Sequence, residues 1–368
     1  MSLPNETLVA VLDGLPASVL ADVARVSRRL NAVAERLLYS AISITDLLSG
    51  SSPVPARTLQ CCRSILSRPH LVDTIKRLHI RWHGDFRSLS PHALAAACTN
   101  VGIALQTLVA LEGLDIFLGP ANLANVPHNP VHAIERILGS CALPSLRFCS
   151  LGAEWSKDVR PYTDILPAFL STACRLTHLK LSDHHQPILA LSHGALPALF
   201  YFRGSPYTAA SLLPGRPVQY LALIGQDSDV SPENLRQIAL TSAPLRSLDL
   251  SAMQVRPILL RHISIHLAAP LEILKVRLAL RHTLHYALSG IALLAGLSSV
   301  LANFPHLLCF DLSPTEIDGG RQANLTEEAS LCADWSRACP SLTRIVFPSG
   351  NQWRLAGDGS WVLSSSSF

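Results

Sequence analysis

Leu245-Arg246-Ser247-Leu248-Asp249-Leu250 sets three apolar residues at a fixed spacing: apolar, two residues, apolar, one residue, apolar. Its alternating second half is the signature of a strand with one face in a core. The spacing recurs as Ile75-x-x-Leu78-x-Ile80, Leu111-x-x-Leu114-x-Ile116 and Leu176-x-x-Leu179-x-Leu181. A variant stands at Leu143-x-x-Leu146-x-Phe148, and Leu196-x-x-Leu199-x-Tyr201 follows. Val218-x-x-Leu221-x-Leu223, Leu271-x-x-Leu274-x-Val276, Leu307-x-x-Phe310-x-Leu312 and Leu342-x-x-Ile345-x-Phe347 complete the series. The central positions are 78, 114, 146, 179, 199, 221, 248, 274, 310 and 345, a period of 20 to 36 residues.

Helical segments fill the intervals. Ser231-Pro232-Glu233 opens one with a capping serine and a first-turn proline. Others are expected over residues 257–268, 284–301 and 327–338. A strand followed by a helix at this period implies an α/β chain, a curved solenoid with a parallel sheet inside and helices outside. Trp353-Arg354-Leu355 and Trp361-Val362-Leu363 flank Gly357-Asp358-Gly359 and read as a hairpin that caps the far end. A doubly wound sheet is the other α/β option, but ten strand–helix units are many for it and no phosphate loop accompanies them.

Ahead of the repeats, Leu3-Pro4-Asn5-Glu6 opens three short helices. Pro4 suits a first helical position, and Glu6 places negative charge at the helix start. Leu8, Val11, Leu12 and Leu15 form one stripe. Pro16 restarts the chain, with Leu20, Val23 and Val26 facing inward, and Ser27 caps a third helix carrying Leu30, Val33, Ala34, Leu37 and Leu38. A bundle this small is helped by a partner. A helix-turn-helix reading of residues 20–28 fails on its turn, since no glycine lies between Gly14 and Gly50.

This stretch resembles an F-box, and the repeats behind it resemble the irregular leucine-rich repeats of F-box proteins, which lack the usual repeat asparagine. The positions that carry the resemblance are Leu3, Pro4, Glu6, Leu8, Leu12, Leu15, Pro16, Leu20, Val23, Val26 and Ser27. Leu30 stands where many F-boxes carry a tryptophan. The resemblance implies that these residues bind a Skp-type adaptor, and through it a cullin–RING ubiquitin ligase, while the repeats bind a target protein. It implies domains at 1–45 (F-box), 46–75 (linker and helical cap) and 76–368 (leucine-rich repeats with a C-terminal hairpin cap). It also implies that the chain is no enzyme, because catalysis belongs to the RING-bound conjugating enzyme and the receptor supplies proximity.

Composition agrees with extensive burial: 49% of the 368 residues are apolar and 15% charged. A net charge of +4 is too small for this length to imply nucleic acid. Nine cysteines without a C-x-x-C, and no secretory leader, point to a reducing compartment, cytoplasmic or nuclear. The run between Arg281 and Asp311 has no formal charge, but His282, His285, Asn303, Pro305 and His306 interrupt it. Its apolar part is shorter than the ~20 residues a membrane span needs, so a buried repeat helix is expected.

No nucleophile elbow, phosphate loop or dinucleotide fingerprint occurs. His262 and His266 have helical i, i+4 spacing without a third ligand, and His184-His185 and His282-x-x-His285 stand isolated. No catalytic residue, metal or cofactor is therefore expected. Strand alternation places Arg77, His79, Arg81, His178, Lys180, Phe200, Phe202, Tyr220, Asp249, Lys275, Arg277 and Asp311 on the concave, target-facing side. Arg57, Arg63, Arg68, Lys76, Arg77, Arg81 and Arg87 make the first part basic against Asp73 and Asp85, an expected contact for an acidic or phosphorylated target segment.

Overall fold

The computed structural model describes residues 3–84, 89–124, 131–154, 162–188, 191–192, 194–279, 292–316 and 324–364. The chain forms two units, residues 1–184 with 190–198, and residues 185–189 with 199–368.

The first unit opens with α1 (Asn5–Leu12), α2 (Ala17–Val23) and α3 (Arg28–Ser40). Pro4 and Pro16 are the N-caps of the first two helices. The Ser27 hydroxyl accepts from the Leu30 amide at 3.2 Å, supplying one of the partners the first turn of α3 lacks. Leu12, Leu20, Val33 and Ala34 form the bundle core, with Leu8, Val23, Leu30, Leu37 and Leu38 packed around it.

The strand ladder begins immediately after α3, before the first copy of the spacing. β1 (Ala41–Leu48) runs parallel to β2 (Arg77–Gly84), from Ala41 opposite Arg77 to Leu48 opposite Gly84. β3 (Gly113–Leu118), β4 (Phe148–Ala153) and β5 (His178–Leu181) follow in order, all parallel. The crossings carry α4 (Ala56–Ser67), α5 (Pro91–Thr107), α6 (Ala133–Leu138) and α7 (Leu166–Thr172). Asp46 is buried at the first crossing. Its carboxylate caps α4 by accepting from the Arg57 and Thr58 amides, both at 3.0 Å, and from the Thr58 hydroxyl at 2.7 Å. That hydroxyl in turn accepts from the buried Trp82 indole at 2.9 Å.

The second unit repeats the plan with β6 (Tyr201–Gly204), β7 (Tyr220–Ile224), β8 (Ser247–Val255), β9 (Ile273–Leu278), β10 (Cys309–Asp311) and β11 (Arg344–Val346), all parallel. Its crossings carry α8 (Pro206–Leu212), α9 (Pro232–Ile238), α10 (Pro257–His266), α11 (Ser298–Leu301) and α12 (Leu325–Ala338). Ser231 caps α9 by accepting from the Asn234 amide at 3.1 Å. The hairpin forms at the expected place: β12 (Gln352–Leu355) pairs antiparallel with β11 and with β13 (Trp361–Leu363). Buried Glu328 of α12 anchors it, accepting from the Ser349 hydroxyl at 2.7 Å, the Asn351 side-chain Nδ2 at 3.0 Å and the Trp353 indole at 2.8 Å.

Strand entry is built alike in coil after coil. One carbonyl accepts two successive amides of the next coil: Lys76 from Glu112 and Gly113, Glu112 from Arg147 and Phe148, Gln219 from Arg246 and Ser247. One strand per coil, with the spaced apolar residues turned into the core, is a leucine-rich-repeat arrangement.

Two copies of the spacing are framed differently from expectation. Leu114 and Leu179 both lie opposite Cys149, so the fourth coil reads Leu146-x-x-Cys149-x-Leu151 and its central residue is Cys149. Phe202 lies opposite Leu221, so β6 reads Leu199-x-x-Phe202-x-Gly204. Each shift by an odd number of residues exchanges the inward and outward faces. The long helix expected over 284–301 falls partly outside the described residues. Its described part is a 3-10 segment, Ala292–Leu297, followed by the single turn of α11. Among the described residues no helix is long and apolar enough to cross a membrane. Described buried cysteines serve as small core side chains, and burial pushes the Cys98 thiol up to about 12 and the Cys141 thiol up to about 11.

Candidate functional site

The amino-terminal residues divide into two sets. Leu12 and Leu20 are inside the bundle's own core, and Leu8 and Val23 are half-buried against it. Leu3, Leu15 and Val26 are exposed at 56%, 37% and 71%. Val11, expected on the inner stripe, is 63% exposed, because each residue turns about 100° and Leu8 with Leu12 already take the face toward the core. Val26 lies beyond the end of α2 and so escapes the inward face expected for it. Val9 and Val19 join the exposed set, which sequence reasoning did not assign to the adaptor surface. Pro4, Glu6, Pro16 and Ser27 are exposed at the helix starts. The Arg29 guanidinium ties α3 to the chain start, donating to Asn5 Oδ1 at 2.9 Å and to the Leu3 carbonyl.

On the open face of the first unit, the strand register aligns Ala41, Arg77, Gly113, Phe148 and His178 in one row. Ser43, His79, Asp115, Ser150 and Lys180 form the next. Asp115, absent from the sequence expectation, lies 2.8 Å from His79 Nδ1 and 3.5 Å from the Arg81 guanidinium. Lys76 faces Glu112 at 3.9 Å, and the Lys180 ammonium sits 5.3 Å from the centre of the Phe148 ring. Burial first, and Lys180 second, lower the His178 pKa. A cleft of about 600 Å3 lies over Gly113, lined among others by Arg77, Asp115, Arg147, Phe148 and His178.

The basic run does not act as one patch. Arg57 and Arg63 are on α4, Arg68 turns to Glu35 of α3 at 3.3 Å, and Arg87 lies outside the described residues. Phe148 escaped notice because the fourth coil was framed three residues early, which turned it inward; Arg147, already outward in that frame, was not singled out. Gly113 and Asp115 were legible in the correct frame of β3, as outward neighbours of Leu114.

In the second unit Phe200 is exposed, its ring tilted against Tyr220 with centroids 4.7 Å apart, whereas Phe202 is fully buried. Phe202 is therefore a core residue and not part of the open face. Asp249 accepts from the Ser251 amide at 2.8 Å. Lys275 faces Asp311 at 3.5 Å, and Arg277 meets Glu316 at 2.6 Å.

Sequence reasoning also missed a buried polar cluster in the first unit. The Tyr162 hydroxyl donates to Asp183 Oδ1 at 2.8 Å, and His132 Nε2 lies 3.5 Å from Asp183 Oδ2. His132 Nδ1 accepts the Ile134 amide at the start of α6. Burial raises the Asp183 carboxyl to about 7 and lowers the His132 imidazole to about 4, so both are neutral near pH 6. His184 is buried against Tyr162 and Thr163. His262 and His266 share α10, and His282 and His285 lie outside the described residues. Among the described residues no group of three or more His, Cys, Asp or Glu is arranged to hold a metal.

No protein-family model matches the chain, and no characterised protein matches it in sequence. Among solved structures, an internalin (InlF) from Listeria monocytogenes is similar over 81% of this chain and 90% of its own, at 11% identity and a TM-score of 0.29. TLR13 in its complex with ssRNA13 is similar over 85% of this chain at 15% identity and a TM-score of 0.34, and the match spans 44% of the TLR13 chain.

Proposed function

We propose that this chain is the substrate-recognition subunit of an SCF-type (cullin–RING) E3 ubiquitin ligase, working in the cytoplasm or the nucleus. The leading bundle docks on a Skp-type adaptor, and the open faces of the repeats hold a target protein. The observation that carries this reading is the uncovered apolar set Leu3, Val9, Val11, Leu15, Val19 and Val26 on one small bundle. Exposed aliphatic surface of that kind favours a partner, and the resemblance of Leu3-Pro4-x-Glu6 to an F-box start names one. The receptor contributes proximity, so it needs no nucleophile, acid, base or metal of its own.

The test is co-purification of the full chain with the adaptor. Val11→Asp and Leu15→Asp alter exposed positions and should abolish capture while thermal unfolding stays unchanged. Leu12→Asp is unsuitable, because it would bury a carboxylate in the bundle core. Capture retained by both exposed variants would count against the adaptor role. The second reading is a non-catalytic leucine-rich-repeat scaffold without ligase assembly. It is favoured by the placement of Leu12 and Leu20 within the bundle's own core, and it predicts target capture with no adaptor alongside.

A further inference from the structure

Gly113 leaves a hole in the outward row of the first unit, between Arg77 on one side and Phe148 on the other. Its backbone does not require glycine, since its φ is outside the left-handed region. A Cβ there would meet Arg77 Cγ at 3.3 Å and little else. Glycine inside a strand weakens the strand, and it marks places where another molecule approaches closely.

The charges around the hole are unevenly satisfied. Glu112 and Asp115 are already engaged, the first by Lys76 and the second by His79 and Arg81. Arg77 and Arg147 are both exposed, and among the described residues neither makes an ion pair. Phe148 and His178 supply a ring-lined wall, their centroids 6.4 Å apart. Two guanidinia beside an open, ring-walled cleft suit a dianion carried on a side chain. A phosphate ester brings about −1.5 to −2 charge and accepts bidentate arginine bonds.

We infer that the cleft over Gly113 receives a phosphorylated side chain from a segment of the target protein, held by Arg77 and Arg147. The inference rests on reading the repeat face as the target surface and is independent of the adaptor.

The full chain is immobilised and offered peptide libraries with a fixed central phosphotyrosine, phosphoserine or phosphothreonine, alongside unphosphorylated counterparts. Phosphorylated peptides should bind at least about tenfold more tightly, the effect of one or two charge-assisted hydrogen bonds. Arg77→Glu combined with Arg147→Glu should abolish that preference. Gly113→Val, which alters no charge, should weaken binding at least about tenfold by filling the hole, with Gly113→Ser in its place if the valine variant misfolds. Arg63→Glu makes the same substitution once, at half the total charge change, on an exposed position of α4 and should leave binding intact. Equal binding of both peptide classes overturns the inference, as does a preference that survives the double arginine change or phosphopeptide binding undiminished by the Gly113 change. Displacement of the peptides by a poly-uridine oligonucleotide at lower concentration than by phosphopeptide assigns the cleft to nucleic acid and overturns it too. Loss of adaptor capture with peptide binding intact would sink the ligase reading alone.

Discussion

The leading outward row of the first unit is Ala41, Arg77, Gly113, Phe148 and His178; that of the second is Tyr201, Tyr220, Ser247, Ile273 and Cys309. Each row hangs on a parallel ladder of its own unit, yet the two treat charge differently. Among the described residues, the first unit leaves two guanidinia without carboxylates beside a glycine gap. The second fills its row with uncharged side chains, two of them rings, and closes Lys275 on Asp311 and Arg277 on Glu316. The interiors differ as well. Buried Asp183 of the first unit is held near neutrality by burial, while buried Glu328 of the second has three donors. A shared backbone plan therefore does not impose a shared surface chemistry; the outward positions are free to diverge because packing does not restrict them.

The largest expected effect tests the interior of the second unit. Glu328→Ala removes the acceptor of three donors and strands the Trp353 indole, at a cost of about 3–5 kcal/mol. Denaturant unfolding should register this loss. Hydrogen exchange should rise across β11–β13 while β1–β5 keep their protection; a loss spread evenly over both units would break the contrast between them.

Next is the corresponding cap in the first unit. Asp46→Ala should cost about 2–3 kcal/mol, since it uncaps α4 and leaves the Thr58 hydroxyl beneath Trp82 without its acceptor. Exchange should then quicken first in α4 and β1.

The buried cluster gives a pH test. Asp183 has a raised folded pKa, so its contribution is full below about 4 and is lost as pH rises through about 7. His132 has a lowered one, so its contribution is full above 6.5 and is lost as pH falls toward about 4. Between those limits the two slopes oppose and cancel. Asp183→Asn leaves the His132 slope alone, and stability should climb from pH 4.5 to 6.5 by up to about 1.4 kcal/mol per pH unit. A variant whose slope over that range equals the parent's would refute the assignment of neutral Asp183.

The smallest effect sharpens the surface half of the comparison. A double-mutant cycle on Lys275 and Asp311 should return a coupling below about 1 kcal/mol, because both groups retain water contact. A larger value would mean that the pairing across the second face is structural and not mere charge closure.

Much of the architecture can be read from short windows. Ser27 and Ser231 cap the helices they were expected to cap, Pro4 and Pro16 stand one residue ahead of the helices they were expected to open, and the glycine turn at 357–359 makes its hairpin. The candidate cleft was only half legible. Arg77, His79 and His178 followed from alternation in strands whose frame was right, whereas Phe148 was hidden by a frame three residues out and Arg147, outward in that frame, was not singled out. Apolar residues at positions 143, 146, 149 and 151 admit more than one fit to the same spacing, and nothing local chooses between them.

By itself the sequence determined the α/β class, the strand-per-coil period, the helix starts and the terminal hairpin, because caps, turns and alternation act over a few residues. Only the tertiary structure decided that β1 joins the ladder, that Cys149 and Phe202 are the central residues of their coils, and that Leu12 and Leu20 are inside the bundle while Leu15 and Val26 are out. The tertiary structure alone brought Arg77, Gly113 and Arg147 to one cleft. Those outcomes depend on hydrogen-bond register and packing between segments distant in the chain, which no local pattern encodes.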